Sequence, residues 1–169
     1  CIRDRDKGWK TWLTEATHLK GLFAQKAIEV NIPHNWDDYY GYRQLTHGNL
    51  HGTAIYEKTF TLDDSQFLIS NSSFGKRYFL RFEGVGTYAT ITLNGKDFGR
   101  HPVGRTTLTL DVTDALKLGE NKLVVKAEHP EMIADMPWVC GGCSSEWGFS
   151  EGSQPLGIFR PVVLEATDA

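Results

Sequence analysis

Residues 77–104 read RYFLRFEGVGTYATITLNGKDFGRHPVG, and this stretch decides the fold class. It contains two short runs in which every second residue is apolar: Tyr78, Leu80 and Phe82 in the first, Ala89, Ile91 and Leu93 in the second. A period of two is typical of half-buried strands, because successive side chains of a strand point to opposite faces. Asn94-Gly95, a strong signal for a tight turn between strands, follows the second run. The stretch therefore predicts a β-sheet protein with a hairpin that continues into residues 96–99.

The same alternation recurs in other parts of the chain. Four further segments each place apolar residues on one face: Ile28, Val30 and Ile32; Ala54, Tyr56, Phe60 and Leu62; Leu108, Leu110 and Val112; and Leu123, Val125 and Ala127. A closing strand is predicted over residues 158–166, and Pro161 favours an edge position because proline has no N–H to donate. Together these patterns predict an all-β sandwich with roughly eight or more antiparallel strands in two sheets.

The N-terminal segment departs from this pattern. Its apolar residues recur at helical spacing: Trp9, Trp12, Leu13, Ala16 and Leu19. One interpretation is a short amphipathic helix, limited in length by the flanking Gly8 and Gly21. The favoured one is that both tryptophans pack under the edge of the sandwich.

The stretch PHNWDD at residues 33–38 predicts a turn after a strand. Pro33 ends the strand, and Asn35 and Asp37 favour a turn because their side chains bond nearby backbone groups. His34 and Trp36 are interpreted as packing and hydrogen-bonding residues rather than as ligand contacts. After Asp111 the segment DVTDAL predicts a single helical turn, capped by Asp111 or Thr113.

Composition argues against several classes of function. The formal net charge is −3 with mixed signs, so the chain offers no basic face for nucleic acid. No apolar run approaches the ~20 residues that span a bilayer, and no charged-then-apolar signal segment opens the sequence. Neither a nucleophile elbow nor a phosphate-binding loop nor a metal triad is present in the sequence.

An ordered series of short motifs carries a family resemblance. Along the chain these are VNIPHNWDD, YEKTF, RFEGV, LNGK, GEN and GIFRPV, spanning about residues 28–164. The series resembles the N-terminal sugar-binding domain of family 2 glycoside hydrolases, which include β-galactosidases, β-glucuronidases and β-mannosidases. The resemblance implies a jelly-roll, galactose-binding-like β-sandwich. It also implies that residues 1–169 form one such domain, with residues 1–27 as an N-terminal extension packed on it.

The function implied by the resemblance is that of a non-catalytic domain. Retaining glycosidases need two carboxyl groups about 5–5.5 Å apart, and in the resembled family both glutamates lie on a separate barrel. A barrel of this kind needs ~250 residues, so this chain is not expected to hydrolyse a glycoside alone. The expected partners are a β-glycoside and, in the same chain, a downstream barrel and an immunoglobulin-like domain, with no cofactor. An independent carbohydrate-binding module and a structural interaction domain remain alternatives.

Candidate sugar contacts lie in two regions. In some family members an acidic residue of the loop before the last strand reaches the active site of the barrel, and Glu151 is near that place. In the same loop Trp138 and Trp147 offer flat apolar faces to a sugar ring, or else fold the loop down or contact the barrel. The second region is HPVGR, where His101 and Arg105 are candidates, although Arg105 stands where the family usually has a tyrosine.

The cysteines leave several alternatives open. Cys140 and Cys143 form a single C-x-x-C, which is compatible with two ordinary thiols or a disulfide and is a weak zinc signal without a second pair. The protein is expected to be exported, to the periplasm or the cell surface. Cys1 is either the lipid-acceptor residue that removal of a signal peptide exposes or simply the residue at which this sequence begins.

Overall fold

The computed structural model describes residues 6–16, 26–40, 50–63, 76–131 and 155–168. The elements in chain order are β1 (Trp9–Ala16), β2 (Ile28–Val30), α1 (Asp37–Tyr40), β3 (Gly52–Leu62), β4 (Lys76–Phe82), β5 (Val85–Leu93), β6 (Lys96–Gly104), β7 (Leu108–Asp111), β8 (Gly119–His129) and β9 (Val162–Asp168). They form a six-stranded sheet in the order β2-β1-β3-β8-β5-β6 and a three-stranded sheet in the order β7-β4-β9. All pairings are antiparallel. The predicted all-β sandwich is confirmed.

The hydrophobic core lies between the two sheets. Residues of both contribute to one cluster of buried side chains, which includes Leu80, Phe82 and Leu164 from the small sheet and Tyr56, Ile91 and Val125 from the large one. The alternation read from residues 78–82 and 89–93 therefore marks the inward faces of β4 and β5 correctly. Arg81, on the opposite face of β4, makes exposed ion pairs with Glu83 and Glu165.

The predicted hairpin is present between β5 and β6. Asn94 and Gly95 form its turn with φ angles of 52° and 85°, which Asn and Gly adopt more readily than other residues. The Asn94 side chain also donates hydrogen bonds to the Ala115 carbonyl and to Oδ1 of Asn121. The turn is thereby attached to the chain that leads into β8.

The helical interpretation of the N-terminal segment is wrong, because residues 9–16 form a strand. β1 lies inside the large sheet, paired with β2 on one side and β3 on the other. Trp9 is fully buried and meets the Tyr56 ring edge-on at 6.5 Å between centroids, whereas Trp12 is only half-buried. The two tryptophans are three residues apart, so a strand sends them to opposite faces.

The single turn after β7 is confirmed. The Leu116 amide bonds the Val112 carbonyl at 3.0 Å, and Oδ1 of Asp111 accepts hydrogen bonds from the backbone and the hydroxyl of Thr113. Of the two capping candidates, Asp111 therefore provides the cap.

The last strand begins later than predicted. β9 starts at Val162 and lies at an edge of the small sheet, as Pro161 indicated. The four residues before it bond elsewhere: the Ile158 carbonyl accepts from the His34 amide and the Pro161 carbonyl from the Glu83 amide. Residues 158–161 therefore connect the PHNW turn to the small sheet.

Among the described helices, none is long and apolar enough to cross a membrane.

Candidate functional site

One end of the large sheet gathers the ends of five strands. The last residue of β1, Ala16, pairs with Gly52, the first residue of β3. On its other side Gly52 pairs with His129, the last residue of β8. The start of β5 and the end of β6 lie at the same end, as Val85 pairs with Gly104. We call this the cleft end, because a cleft of about 680 Å³ opens there.

The cleft is lined by strand ends and by the residues that follow β8. Among the described residues, its lining comprises Thr14, Glu15, Ala16, His51, Gly52, Thr53, Glu128, His129, Pro130 and Glu131. The carboxylate of Glu128 is paired with Arg100 at 3.1 Å and with Lys126 at 3.3 Å. The carboxylates of Glu15, Glu128 and Glu131 are the charged groups of this lining, and carboxylates accept hydrogen bonds from hydroxyl groups. Within the described ranges, no group of three or more His, Cys, Asp or Glu side chains could hold a metal ion.

Two histidines form the floor of the cleft. The rings of His51 and His129 are stacked at 4.8 Å with an angle of 7° between their planes. His129 is fully buried, and its Nδ1–H donates to the Leu50 carbonyl at 3.2 Å, since a carbonyl can only accept. Burial lowers the pKa of His129 to about 4, and the neighbouring His51 acts in the same direction. His129 is therefore a neutral hydrogen-bond donor at pH 7.

Asp37 joins three separate parts of the chain near the cleft. Its Oδ1 accepts a hydrogen bond from the Leu50 amide and its Oδ2 one from the Leu156 amide, both at 2.7 Å. Burial raises the pKa of this carboxyl, while the two backbone hydrogen bonds act in the opposite direction by favouring the charged form. The sequence predicted a purely local turn role for Asp37, and the structure corrects this.

An aromatic cluster surrounds this junction. It contains His34, Trp36, Tyr39, Tyr40 and Tyr56, whose neighbouring rings lie 5.6–6.2 Å apart. A 2.7 Å hydrogen bond joins His34 Nδ1 to the Tyr56 hydroxyl, and burial lowers the pKa of His34 to about 4 although Asp38 opposes the shift. Trp36 is buried and donates to the Thr11 hydroxyl at 3.2 Å. The packing role predicted for His34 and Trp36 is confirmed.

The predicted sugar contacts fall into two groups. Arg105 follows β6 at the cleft end, where its side chain is exposed and its carbonyl accepts a hydrogen bond from Arg160 at 3.0 Å. His101 is half-buried on β6, with Nε2 2.7 Å from the Phe98 carbonyl. Neither belongs to the cleft lining. Glu151, Trp147 and Trp138 lie outside the described residues, as do Cys1, Cys140 and Cys143.

Sequence reasoning missed the roles of Asp37, His51 and His129. One signal was available for Asp37, because PHNWD is one of the family-like motifs and contains a carboxylate. No signal in the sequence indicated that His51 stacks on His129, because the two residues are far apart in the sequence and are brought together by the pairing of β3 with β8.

Two antiparallel sheets packed face to face around one core are the architecture of β-sandwich domains. The comparison with known families agrees with this class. Residues 9–136 match the model described as the glycosyl hydrolase 2 galactose-binding domain-like family, and the chain belongs to that family.

The relatives are longer proteins. A β-glucuronidase from Bacteroides fragilis is 29% identical over 98% of this chain and 24% of its own length. A β-galactosidase from Bacteroides ovatus is 28% identical over 82% of this chain and 14% of its own length. The crystal structure of a Bacteroides uniformis β-glucuronidase superimposes with a TM-score of 0.65 at 27% identity, over 95% of this chain and 17% of that one. The chain thus spans about a quarter or less of these relatives.

Proposed function

We propose that this chain is the non-catalytic N-terminal domain of a β-glycosidase and that its cleft end faces the substrate. The observation that carries the proposal is the gathering of strand ends around one cleft in a family 2 domain. The cleft offers carboxylate acceptors to sugar hydroxyls, and the connections 17–25, 41–49 and 132–154 all leave from or return to this end. Hydrolysis would be performed by a catalytic barrel elsewhere in the same protein, preceded by an immunoglobulin-like domain.

The names of the relatives support two substrate classes to test. Several are named β-glucuronidases and others β-galactosidases. The B. fragilis β-glucuronidase matches nearly the full length of this chain, so a β-glucuronide is the first substrate to test and a β-galactoside the second.

Five residues are proposed as sugar contacts: Glu151, Trp147, Trp138, Arg105 and His101. Among the two that the structure describes, Arg105 is better placed, because it is exposed at the cleft end. A guanidinium there suits the carboxylate of a glucuronide, which it can bind with two hydrogen bonds. The ring nitrogen of His101 lies within bonding distance of the Phe98 carbonyl and is less available.

The proposal is tested by kinetics of the enzyme that contains this domain and the barrel. We expect Glu151→Gln and Arg105→Ala each to lower kcat/KM for a p-nitrophenyl β-glucuronide by about tenfold, the effect of ~1.4 kcal/mol in transition-state binding. Arg77→Ala is the matched control, because Arg77 is an exposed arginine of β4 that pairs with Asp111. Its kcat/KM should not change.

A titration of the 169-residue chain separates the proposal from its alternative. Glucuronic acid, galactose and mannose are added while tryptophan fluorescence and heat are recorded. An accessory domain shows little or no binding of its own. Saturable binding that is lost in Trp147→Ala, combined with unchanged hydrolysis by the Glu151 and Arg105 variants, would overturn the proposal in favour of an independent carbohydrate-binding module.

A further inference from the structure

We propose that Asp37 is a positioning residue that holds two connections of the chain together at the cleft end. Its two carboxylate oxygens accept hydrogen bonds from the amides of Leu50 and Leu156. The first partner is 13 residues away in the sequence and the second 119 residues away. A residue that only formed a local turn would bond its near neighbours, so these contacts assign Asp37 a long-range role.

The two partners are bonded on their other sides as well. The Leu50 carbonyl accepts from Nδ1 of His129, and the Leu156 carbonyl accepts from the amide of Trp36. Both leucines are almost completely buried. Leu50 directly follows residues 41–49, and Leu156 comes two residues after residues 132–154. Asp37 therefore determines where each connection returns to the sandwich.

A carboxylate is needed at this position. Two amides converge on it from different parts of the chain, and each requires an acceptor because a buried N–H without one costs about 1–3 kcal/mol. Asn has a single acceptor oxygen and an NH₂ group that would face the second amide. Ala has no acceptor. The same geometry therefore predicts graded effects of Asn and Ala at position 37.

The inference deepens the proposed function and rests on it in one respect. The connection of residues 132–154 contains Trp138, Trp147 and Glu151, which are proposed sugar contacts. By holding Leu156, Asp37 would fix the position at which this connection rejoins the sandwich, and so would position the proposed sugar contacts without contacting the sugar itself.

Amide hydrogen exchange at Leu50 and Leu156 is the primary test, performed on the 169-residue chain. In Asp37→Ala we expect both amides to exchange about tenfold faster or more. Each amide loses a hydrogen bond to a charged group, and this lowers the free energy of the local opening from which exchange occurs. In Asp37→Asn only one of the two should do so. The matched control is Asn121→Ala, which removes a buried side chain at the start of β8, the opposite end of the sheet.

The control separates positioning from general destabilisation. A lower global stability speeds the exchange of all core amides together. Asn121→Ala removes the acceptor of the Lys117 amide, so its local effect lies at the opposite end of the sheet, and it should affect Leu50 and Leu156 only through this uniform change. The proposal is overturned if Leu50 and Leu156 respond to Asp37→Ala no more than the other core amides do.

Kinetics of the enzyme with its barrel distinguish this inference from the proposed function. We expect Asp37→Ala to raise KM for the p-nitrophenyl β-glucuronide by about tenfold, with a smaller effect for Asp37→Asn. If the exchange result holds but Asp37→Ala, Glu151→Gln and Arg105→Ala all leave hydrolysis unchanged, the proposed function fails while the role of Asp37 in holding the chain stands. If Glu151→Gln raises KM and Asp37→Ala does not, Asp37 does not position the sugar contacts.

Discussion

Gly157 shows how much a single position can matter in this fold. A Cβ atom placed there would lie 2.4 Å from the Tyr56 hydroxyl and 2.6 Å from the His34 carbonyl, and the backbone has a φ of +148°. At Gly157 the backbone passes between the Tyr56 hydroxyl and the backbone of His34 and Asn35, where only a hydrogen atom fits. The glycine is therefore needed for close approach as well as for conformation.

We expect Gly157→Ala to lower the free energy of unfolding by about 3 kcal/mol or more, since backbone strain and overpacking both contribute. Gly119→Ala is the matched control: its φ is +84°, but no atom lies within 4 Å of the added Cβ. It should cost only about 1–2 kcal/mol, the penalty of the left-handed conformation. Urea denaturation of both variants measures the difference, and equal losses would contradict the close-contact argument.

His129 makes stability depend on pH in a defined direction. Its pKa is lowered from 6.5 to about 4 in the folded chain. Between these values the unfolded chain binds a proton that the folded chain does not, so stability present above pH 6.5 is lost as the pH falls toward 4. His34, with its pKa also lowered to about 4, acts in the same direction. Asp37 has the opposite effect on stability. Its pKa is raised in the folded chain, so as the pH falls the folded chain binds this proton at a higher pH than the unfolded chain does.

We expect His129 alone to account for roughly 3 kcal/mol of this loss, from ~1.4 kcal/mol per pKa unit. His129→Asn removes the titration and retains a side-chain N–H near the Leu50 carbonyl. Thermal unfolding at pH 7, 5.5 and 4 should therefore show a shallower decline for this variant than for the parent chain. Identical declines would mean that the pKa of His129 is the same in the folded and unfolded chains, which would contradict its lowering by burial.

At the scale of elements, a pair of asparagines joins the β5–β6 hairpin to the connection between β7 and β8. Asn94 bonds the backbone of Ala115 and Lys122, and Asn121 bonds the backbone of Lys117 and Gly119. The two side chains also bond each other at 2.7 Å. Asn121 is fully buried, so its polar atoms depend on these partners.

We expect Asn121→Ala to cost about 3 kcal/mol, because it removes a fully buried side chain and the three hydrogen bonds by which that side chain holds the backbone of Lys117 and Gly119. Asn94→Gly keeps the turn conformation and removes the other half of the pair. The double variant should lose about 1 kcal/mol less than the sum of the two, as expected for residues in one network. Asp97→Ala, which removes an exposed bond to the Gly99 amide, is the control and should be additive with Asn121→Ala.

Elements also show what local patterns can and cannot predict. The alternation of residues 78–93 gave the correct inward faces, because burial on one face of a strand leaves a period of two in the sequence. The same reasoning failed for β1, where Trp9 and Leu13 are buried while Trp12 and Ala16 are only half-buried. Apolar residues on both faces of a strand imitate a helical spacing, and only the pairing of β1 with β2 and β3 resolves the ambiguity.

At the scale of the whole molecule, the two sheets depend on one shared core. Phe82 of the small sheet and Ile91 of the large sheet are both completely buried in the same cluster. If the two sheets separated, the apolar inner faces of both would be exposed to water, which is unfavourable. The sandwich should therefore unfold as a single unit.

We expect Phe82→Ala to destabilise the chain by about 3–5 kcal/mol, the usual cost of removing a buried aromatic ring. Circular dichroism and tryptophan fluorescence should still report one coincident transition. Leu118→Ala is the control, because Leu118 is 50% exposed and its loss should change stability by about 0.5 kcal/mol or less. Two separate transitions in the Phe82 variant would show that the sheets unfold independently.

Apart from β1, the strands could be predicted from the sequence, as could the Asn94-Gly95 turn and the family resemblance, because each depends on side chains that are neighbours in the chain. The tertiary structure decided the strand order, the nature of β1 and the contacts of the cleft end. Asp37 illustrates the reason: its partners are 13 and 119 residues away, and nothing in the local pattern of PHNWD names them. Short-range periodicity reports which face of an element is buried, whereas the partners of that face depend on how distant strands pair and pack.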